Sequence, residues 1–326
     1  MTRKENVIRV MRQEPPLWTP NLFTDIDLVL QSAVMERYEG RGIGQDEFGV
    51  TYQYNKEARG PVQCPGDRVV KEIENWRDYV VFPDLENRDW ESAARRDTAG
   101  WDRENKFSVV QMFNGMFERS HMLMGYEDTL CALLTDADVM EDFYSAFTDY
   151  RIGMIRKIAE YYKPDAVMVF DDYAAKDALM MSVETWRELF KGQLKRLIDA
   201  VHECGMYYIL HCCGYLRPLL EDFIEIGADA VHPVQAENHP QELKQKYKGQ
   251  ITFCGCYDNV HILDREGAAD EEIAEEARHI MEDIAPGGSF VAWQSFFCQN
   301  GELYRREIQK YIDRELSDKK VVIERR

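Results

Sequence analysis

"YYILHCCGYLRPLLEDFIEIGADAVHPVQ" covers residues 207–235 and contains two apolar runs with a helical pattern between them. The runs YYILH and AVHPV are apolar at consecutive positions, which is typical of strands buried on both faces. The stretch between them carries apolar residues at helical spacing and ends at Gly227, a residue type favoured at helix ends. A strand, a helix and a second strand at this spacing predict a βαβ unit with parallel strands.

The same alternation recurs along the chain from about residue 107, where helical patterns such as 182–205 and 270–288 separate further apolar runs. These runs are FSVVQMF (107–113), AVMVF (166–170), ITFCGC (251–256) and SFVAW (289–293). Repeated βαβ units predict a (β/α)8 TIM barrel, with an open doubly wound sheet as the second choice. No glycine-rich phosphate-binding motif follows any of the predicted strands, so a nucleotide-binding loop is not indicated.

The first hundred residues are less regular and predict an N-terminal helical and β-hairpin elaboration of the barrel. Residues 3–16 predict a helix that ends at Pro15 and Pro16, and residues 16–23 predict a first strand. Residues 48–54 and 67–73 predict a hairpin with a turn at Gly60 and Pro61.

We interpret the whole chain, residues 1–326, as a single domain. Within it, residues 1–100 form the elaboration and include the first strand, and residues 101–326 carry the main barrel units.

Composition excludes several classes of function. The formal net charge is −19, which repels a phosphate backbone and argues against nucleic-acid binding. No apolar run approaches the about 18–20 residues that cross a bilayer, and Met1 to Glu14 is polar. We therefore expect a cytoplasmic protein with no membrane association, whose eight cysteines are thiols.

Polar clusters follow several of the predicted strands, at the end of a barrel where active sites form. The clusters are Asp171-Asp172-Tyr173, His211-Cys212-Cys213, Gln235, Tyr257-Asp258 and, after Trp293, a segment that ends at Cys298.

His211 and Cys213 are candidate metal ligands. Residues two apart in an extended segment face the same side, so these two converge while Cys212 points away. Imidazole and thiolate are both zinc ligands, and a third must come from elsewhere. The candidates for it, in order of preference, are Cys298, Cys256 and Cys254. Two other interpretations stay open, namely ordinary buried thiols and a nucleophilic Cys213 activated by His211.

Asp171, Asp172 and Gln235 are the candidate catalytic residues. Adjacent side chains at a strand end point to opposite faces, so at most one of the two carboxylates enters the cavity. The other is expected to cap a helix or to form an ion pair. Aromatic and polar side chains at neighbouring strand ends could line a cofactor pocket, and the candidates are Tyr173, Tyr257 and Asp258.

Six stretches, in order, resemble the uroporphyrinogen decarboxylase (URO-D) superfamily. They are RKENVIRVMRQEPPLWTP, FERSHMLMGYEDTLCALLTD, VFDDYAAKDALMMSVETWRELF, LHCCG, GADAVHPVQ and FCGCYDN. The chain resembles the corrinoid-dependent methyltransferases more than the true decarboxylases. LHCCG stands where the methyltransferase branch has His-x-Cys-Gly, and Arg12-Gln13-Glu14-Pro15-Pro16 replaces the decarboxylase signature Arg-Gln-Ala-Gly-Arg.

This resemblance implies a (β/α)8 barrel that holds Zn²⁺ through His211, Cys213 and Cys298. It implies transfer of a methyl group between a small methylated substrate, such as an aryl methyl ether or a methylamine, or a thiol, and cobalt. The methylcobalamin or other corrinoid would be carried by a separate partner protein. The alternatives are a decarboxylase of tetrapyrrole biosynthesis, for which Asp171 and Asp172 would do the chemistry, and a non-catalytic binding module.

Overall fold

The computed structural model describes residues 1–57, 60–293 and 298–326. The strands are β1 (Ile26–Leu30), β2 (Ile43–Gln45), β3 (Thr51–Asn55), β4 (Gly60–Gln63), β5 (Phe107–Met112), β6 (Ala166–Phe170), β7 (Tyr207–His211), β8 (Ala230–His232), β9 (Thr252–Cys254) and β10 (Phe290–Val291). The α-helices are α1 (Arg3–Met11), α2 (Leu22–Asp25), α3 (Trp76–Tyr79), α4 (Trp90–Asp97), α5 (Met116–Met124), α6 (Tyr126–Thr135), α7 (Ala137–Tyr161), α8 (Val183–Trp186), α9 (Gly192–Glu203), α10 (Leu220–Glu225), α11 (Pro240–Tyr247), α12 (Asp270–His279) and α13 (Gly301–Asp318). Short 3-10 turns lie at Ile73–Asn75, Arg217–Leu219 and Ala236–Asn238, and π-helical turns lie at Arg187–Lys191, Asn259–Leu263 and Ile280–Ile284.

In the described part of the chain, seven strands form one parallel sheet in the order β1-β5-β6-β7-β8-β9-β10. The segment just before β1 also reaches the opposite edge of this sheet. There the Ala292 N–H donates to the Pro20 carbonyl at 2.8 Å, and the Leu22 N–H donates to the Ala292 carbonyl at 3.1 Å. These bonds curl the sheet back towards its own first edge, as the predicted barrel requires.

Alternation along the strands separates two apolar layers. Inward-facing residues such as Val109, Met168 and Ile209 form one buried cluster, to which helix α1 adds Val7 and Val10. Helix α1 thereby closes the end of the barrel where the strands begin. The residues between them, such as Val110, Val167 and Tyr208, face outward and pack among the buried side chains of the surrounding helices. None of the helices among the described residues has both the length and the apolar character that crossing a membrane requires.

The six strands predicted from residue 107 onward are all present, but two N-terminal predictions are wrong. The first strand is β1 and not residues 16–23, where Pro16 and Pro20 lack the N–H donors that a ladder needs. The second strand of the hairpin is β4 and not residues 67–73. Gly60 and Pro61 therefore lie in a strand and not in a turn. Strand β4 is an edge strand, where proline is tolerated.

The antiparallel sheet β2-β3-β4 is tied to the barrel helices by buried ion pairs. Arg119 of α5 donates to Asp46 at 2.6 Å, and both side chains are fully buried. Arg151 of α7 pairs with Glu36, which is also buried. The guanidinium of Arg119 lies 4.1 Å from the ring centroid of Phe48. Charged side chains on α5 and α7 thus hold the antiparallel sheet against the barrel.

Candidate metal centre

The register of β6 and β7 brings two polar strand ends together. The strands are parallel neighbours in which Phe170 lies opposite His211. Because side chains alternate, Phe170 and Asp172 of one strand end face the same side as His211 and Cys213 of the other.

The side chains of Asp172, His211 and Cys213 form a compact cluster at this point. Each offers one ligand atom, and these three atoms all lie within 4.8 Å of one another. His211 Nε2 is 3.4 Å from Cys213 Sγ and 3.9 Å from Asp172 Oδ1. The Cys213 N–H donates to Asp172 Oδ1 at 2.6 Å, which fixes the carboxylate. Nitrogen, sulfur and oxygen donors at such separations suit a zinc ion.

Asp171 makes different contacts from the adjacent Asp172. Its two carboxylate oxygens accept the N–H groups of Phe117 and Glu118, at 3.2 and 3.0 Å, in the first turn of α5. The approach is so close that a Cβ on Gly115 would lie 2.3 Å from the Asp171 Cβ. Burial raises the pKa of Asp171 to about 6. The structure thus places Asp171 as a helix cap and Asp172 in the cluster.

Cys212 also faces away from the cluster. Its thiol is fully buried and accepts the Tyr173 N–H at 3.3 Å, and burial raises its pKa well above the usual range. Gln235 spans the loops beyond the strands, because its Oε1 accepts the Gly214 N–H at 2.6 Å and its Nε2 donates to Asn259 at 2.8 Å. The Gln235 amide therefore ties the Cys213-Gly214 turn to the segment that follows β9.

Aromatic rings line the mouth of the barrel beside the cluster. The Phe170 ring stacks on His211 with centroids 3.9 Å apart, and Phe113 stacks on Phe170 at 4.2 Å. On the other side, His232 lies 4.8 Å from His211 and 5.4 Å from Trp293, measured between ring centroids. These rings present an apolar surface to anything that reaches the three polar side chains.

The electrostatics of the cluster favour a bound cation. Burial lowers the pKa of His211 to about 3, so its imidazole is neutral. Burial, and then the charges of Asp172 and Glu118, raise the pKa of the Cys213 thiol. A divalent cation reverses the effect on the thiol, because it stabilises thiolate and carboxylate together.

Glu118 is a site residue that the sequence did not reveal. It lies in the first turn of α5, and its pKa is raised well above the usual range by burial and then by Asp172 and Asp171. Glu118 lies in a helix, whereas the site residues predicted from the sequence lie at the ends of strands. The sequence signal for such a residue is an acidic side chain in the first turn of the helix after β5.

The other predicted site residues lie around this cluster. Tyr173 packs in the outer core beside Trp186, and Tyr257 is buried at 5.9 Å from Tyr304, measured between ring centroids. Asp258 caps the turn that follows it by accepting the His261 N–H at 2.8 Å. Their roles in cofactor binding stay predictions.

The sequence predicts a third metal ligand among three cysteines. Cys254 faces the barrel interior, and Cys256 is buried in the outer layer. Cys298 is half-buried, and its ligand atom is not in the close group of Asp172, His211 and Cys213. Ligation by Cys298 stays a prediction, and the preceding Phe296 and Phe297 lie outside the described residues.

Comparison with known proteins agrees with this architecture. A sequence model of the uroporphyrinogen decarboxylase (URO-D) family matches residues 104–293. No curated protein sequence matches the chain. The structure is similar to that of a methyltransferase from Methanosarcina mazei, with a TM-score of 0.71 at 15% sequence identity. The match covers 96% of this chain and 99% of that chain. At this identity the similarity concerns the fold, and it confirms the predicted barrel-like architecture.

Proposed function

The chain belongs to the uroporphyrinogen decarboxylase family, and from that membership we propose that it is a methyltransferase. It moves a methyl group between a small methylated substrate, or a thiol, and the cobalt of a corrinoid carried by a separate protein. The observation that carries this proposal is the cluster of Asp172, His211 and Cys213 at the mouth of the barrel. The similarity to a methyltransferase from Methanosarcina mazei supports the reaction type.

The cluster fits a zinc ion in its donor chemistry. His211 provides a neutral ring nitrogen, Cys213 provides a thiolate once its proton is lost, and Asp172 provides a carboxylate oxygen. Cys298, which follows β10 along the chain, is the proposed further thiolate. When bound, zinc supplies a Lewis acid that lowers the pKa of a coordinated thiol or polarises the heteroatom of a methyl donor.

The protein's own residues bind and orient the substrate. Phe113 and Phe170 form an apolar wall beside the three polar side chains, which suits a methyl or aryl group. The charge of Glu118 acts on Asp172 and Cys213, so its carboxyl group is the one proposed to meet the heteroatom that carries the methyl group. Asp171 holds the first turn of α5, and with it the Glu118 side chain, in place.

The alternative of a tetrapyrrole decarboxylase is disfavoured by the charge of this site. A uroporphyrinogen carries many carboxylates and needs cations to hold them. Here the charge of Asp172 acts on Glu118 near the barrel mouth, Asp171 lies beside them as the cap of α5, and Arg37 is a cation whose charge acts on Glu118. A neutral or cationic methyl donor meets no such repulsion.

Methyl transfer to free cob(I)alamin tests the proposal. Zinc-loaded protein is incubated with cob(I)alamin and a panel of aryl methyl ethers and methylamines, and with methylcobalamin and thiols for the reverse direction. We expect a change in corrinoid absorbance with one of these partners. Cys213→Ala should slow it by about 100-fold or more, and Cys212→Ala should leave it nearly unchanged. Absence of transfer in both directions, with release of CO2 from uroporphyrinogen, would overturn the proposal.

A further inference from the structure

Two histidines from neighbouring strands share a hydrogen bond beside the cluster. His211 at the end of β7 lies opposite His232 at the end of β8 in the parallel register. Their Nδ1 atoms are 2.8 Å apart. A hydrogen bond between two imidazole nitrogens requires a proton on one and a lone pair on the other.

The metal centre decides the direction of this bond. His211 Nε2 is the ring nitrogen that faces Cys213 and Asp172. A nitrogen that binds a metal uses its lone pair, so the single proton of a neutral His211 must lie on Nδ1. His211 then donates, His232 Nδ1 accepts, and the proton of a neutral His232 must lie on Nε2.

Packing alone does not account for a histidine at position 232. The side chain is 7% exposed, and its Nε2 has no hydrogen-bond partner among the residues that the structure describes. A buried polar group without a partner destabilises a fold, and an apolar side chain of similar size would avoid that cost. Within the described part of the chain, the hydrogen bond of the His232 side chain is the one to His211.

We propose that His232 is a positioning residue that fixes the tautomer and ring orientation of His211 for metal binding. Phe170 holds the other side of the same ring by stacking at 3.9 Å between centroids. The inference rests on the proposed metal centre and extends it to a residue that is not itself a ligand. Partners of this kind typically change metal affinity by about 10–100-fold.

Two substitutions at position 232 separate this role from packing. His232→Leu removes the acceptor, whereas His232→Asn keeps an acceptor close to the position of the imidazole Nδ1. His202→Leu is the matched control, because His202 pairs with Asp229 away from the cluster. The measurements are zinc affinity by competition with a chromophoric chelator, the thermal midpoint of the metal-free protein, and ¹⁵N NMR of histidine-labelled, zinc-loaded protein.

We expect zinc to bind about 10–100-fold more weakly to His232→Leu, and within about threefold of wild type to His232→Asn. His202→Leu should bind zinc as wild type does. The thermal midpoint of metal-free His232→Leu should not show a loss that matches its loss of zinc affinity. The NMR spectrum of wild type should show the His211 proton on Nδ1.

Three results would overturn the inference and leave the metal centre standing. They are zinc affinity of His232→Leu within about threefold of wild type, equal weakening in His232→Asn and His232→Leu, and an Nε2 proton on His211 in zinc-loaded wild type. The NMR result decides the matter if His232→Leu fails to fold. Wild-type protein that binds no zinc would instead overturn the proposed function.

Discussion

The glycine that ends the His-Cys-Cys-Gly stretch is fixed by both its backbone and its surroundings. Gly214 has φ +83°, a left-handed conformation that other residues adopt at a cost. A Cβ at this position would also lie 2.4 Å from the Ala175 carbonyl oxygen. The turn that aims Cys213 at His211 therefore depends on the absence of a side chain at 214.

Gly214→Ala should lower the free energy of unfolding by more than Gly249→Ala does. Gly249 has a similar φ of +81°, but a Cβ there would meet nothing within 4 Å. Both variants lose about 1–2 kcal/mol for the left-handed backbone, and Gly214→Ala loses about 1–3 kcal/mol more for the clash. Urea unfolding of the two variants measures the difference, and equal losses would show that the turn yields without strain.

The sequence predicts that side chains at the strand ends point alternately into the site and away from it. It does not predict which of Asp171 and Asp172 faces the site. The two-residue period assigned Cys213 to the site and Cys212 to the core, and the structure places them so. The same rule required one of Asp171 and Asp172 to turn away. Which one does so depends on the position of α5, because the N–H groups of its first turn bind Asp171.

Residues that reach the site from elsewhere in the fold could not be found by this rule. Glu118 lies in a helix, and its distance from Asp172 is set by how α5 packs beside β6. The contact between His232 and His211 depends on the register of β7 and β8. A sequence shows which residues alternate along one strand, but not which residues of two strands lie opposite each other.

The buried strands from β5 onward could be predicted from the sequence, whereas the N-terminal strands β1 and β4 could not. Strands β5 to β9 combine β-branched and aromatic residues on consecutive positions, a pattern typical of strands buried on both faces. Strand β1 includes the charged Asp27, and β4 begins with Gly60 and Pro61. Their positions are set by the partners β5 and β3, which local composition does not show.

A histidine ties the end of one helix to the sheet and gives the stability a pH dependence. His202 Nε2 at the end of α9 is 2.8 Å from Asp229 Oδ2, just before β8. That hydrogen bond raises the pKa of His202 above 6.5. A raised pKa means that the folded state holds the proton more tightly, so the stabilisation is present below 6.5 and is lost as the pH rises through the raised value.

His202→Asn should therefore cost more stability in acid than in alkali. Because the His202 side chain is 40% exposed, we expect the loss at about pH 5.5 to exceed the loss at about pH 9 by only a few tenths of a kcal/mol. Urea unfolding of both proteins at the two pH values measures it. A larger loss of stability at about pH 9 than at about pH 5.5 would show that the contact with Asp229 does not raise the pKa of His202.

Charged side chains that water does not reach join the antiparallel sheet β2-β3-β4 to the helices of the barrel. Arg119 and Asp46 are fully buried, and Asp46 also accepts the N–H groups of Phe48 and Val50. The Arg119 guanidinium also donates to the carbonyl of Glu36 at 2.7 Å. Removing one partner of such a pair leaves the other charge buried and uncompensated.

Arg119→Leu should lower the free energy of unfolding by about 3–5 kcal/mol, because Asp46 loses its counter-charge. Backbone amides in residues 43–63 should exchange faster with deuterium than those of the barrel strands. Arg95→Leu is the control, since Arg95 and Glu91 form an exposed pair worth less than about 1 kcal/mol. Uniformly faster exchange over the whole chain would show that Arg119 supports the barrel and not the elaboration in particular.

The zinc content of the protein is the direct test of the proposed metal centre at the ends of β6 and β7. Zinc is measured in purified wild type and in the single variants Cys213→Ala, Cys212→Ala and Asp172→Asn. We expect about one tightly bound zinc per chain in wild type and in Cys212→Ala, and a large loss in Cys213→Ala and Asp172→Asn. Wild type without tightly bound zinc, or full zinc content retained in Cys213→Ala, would contradict it.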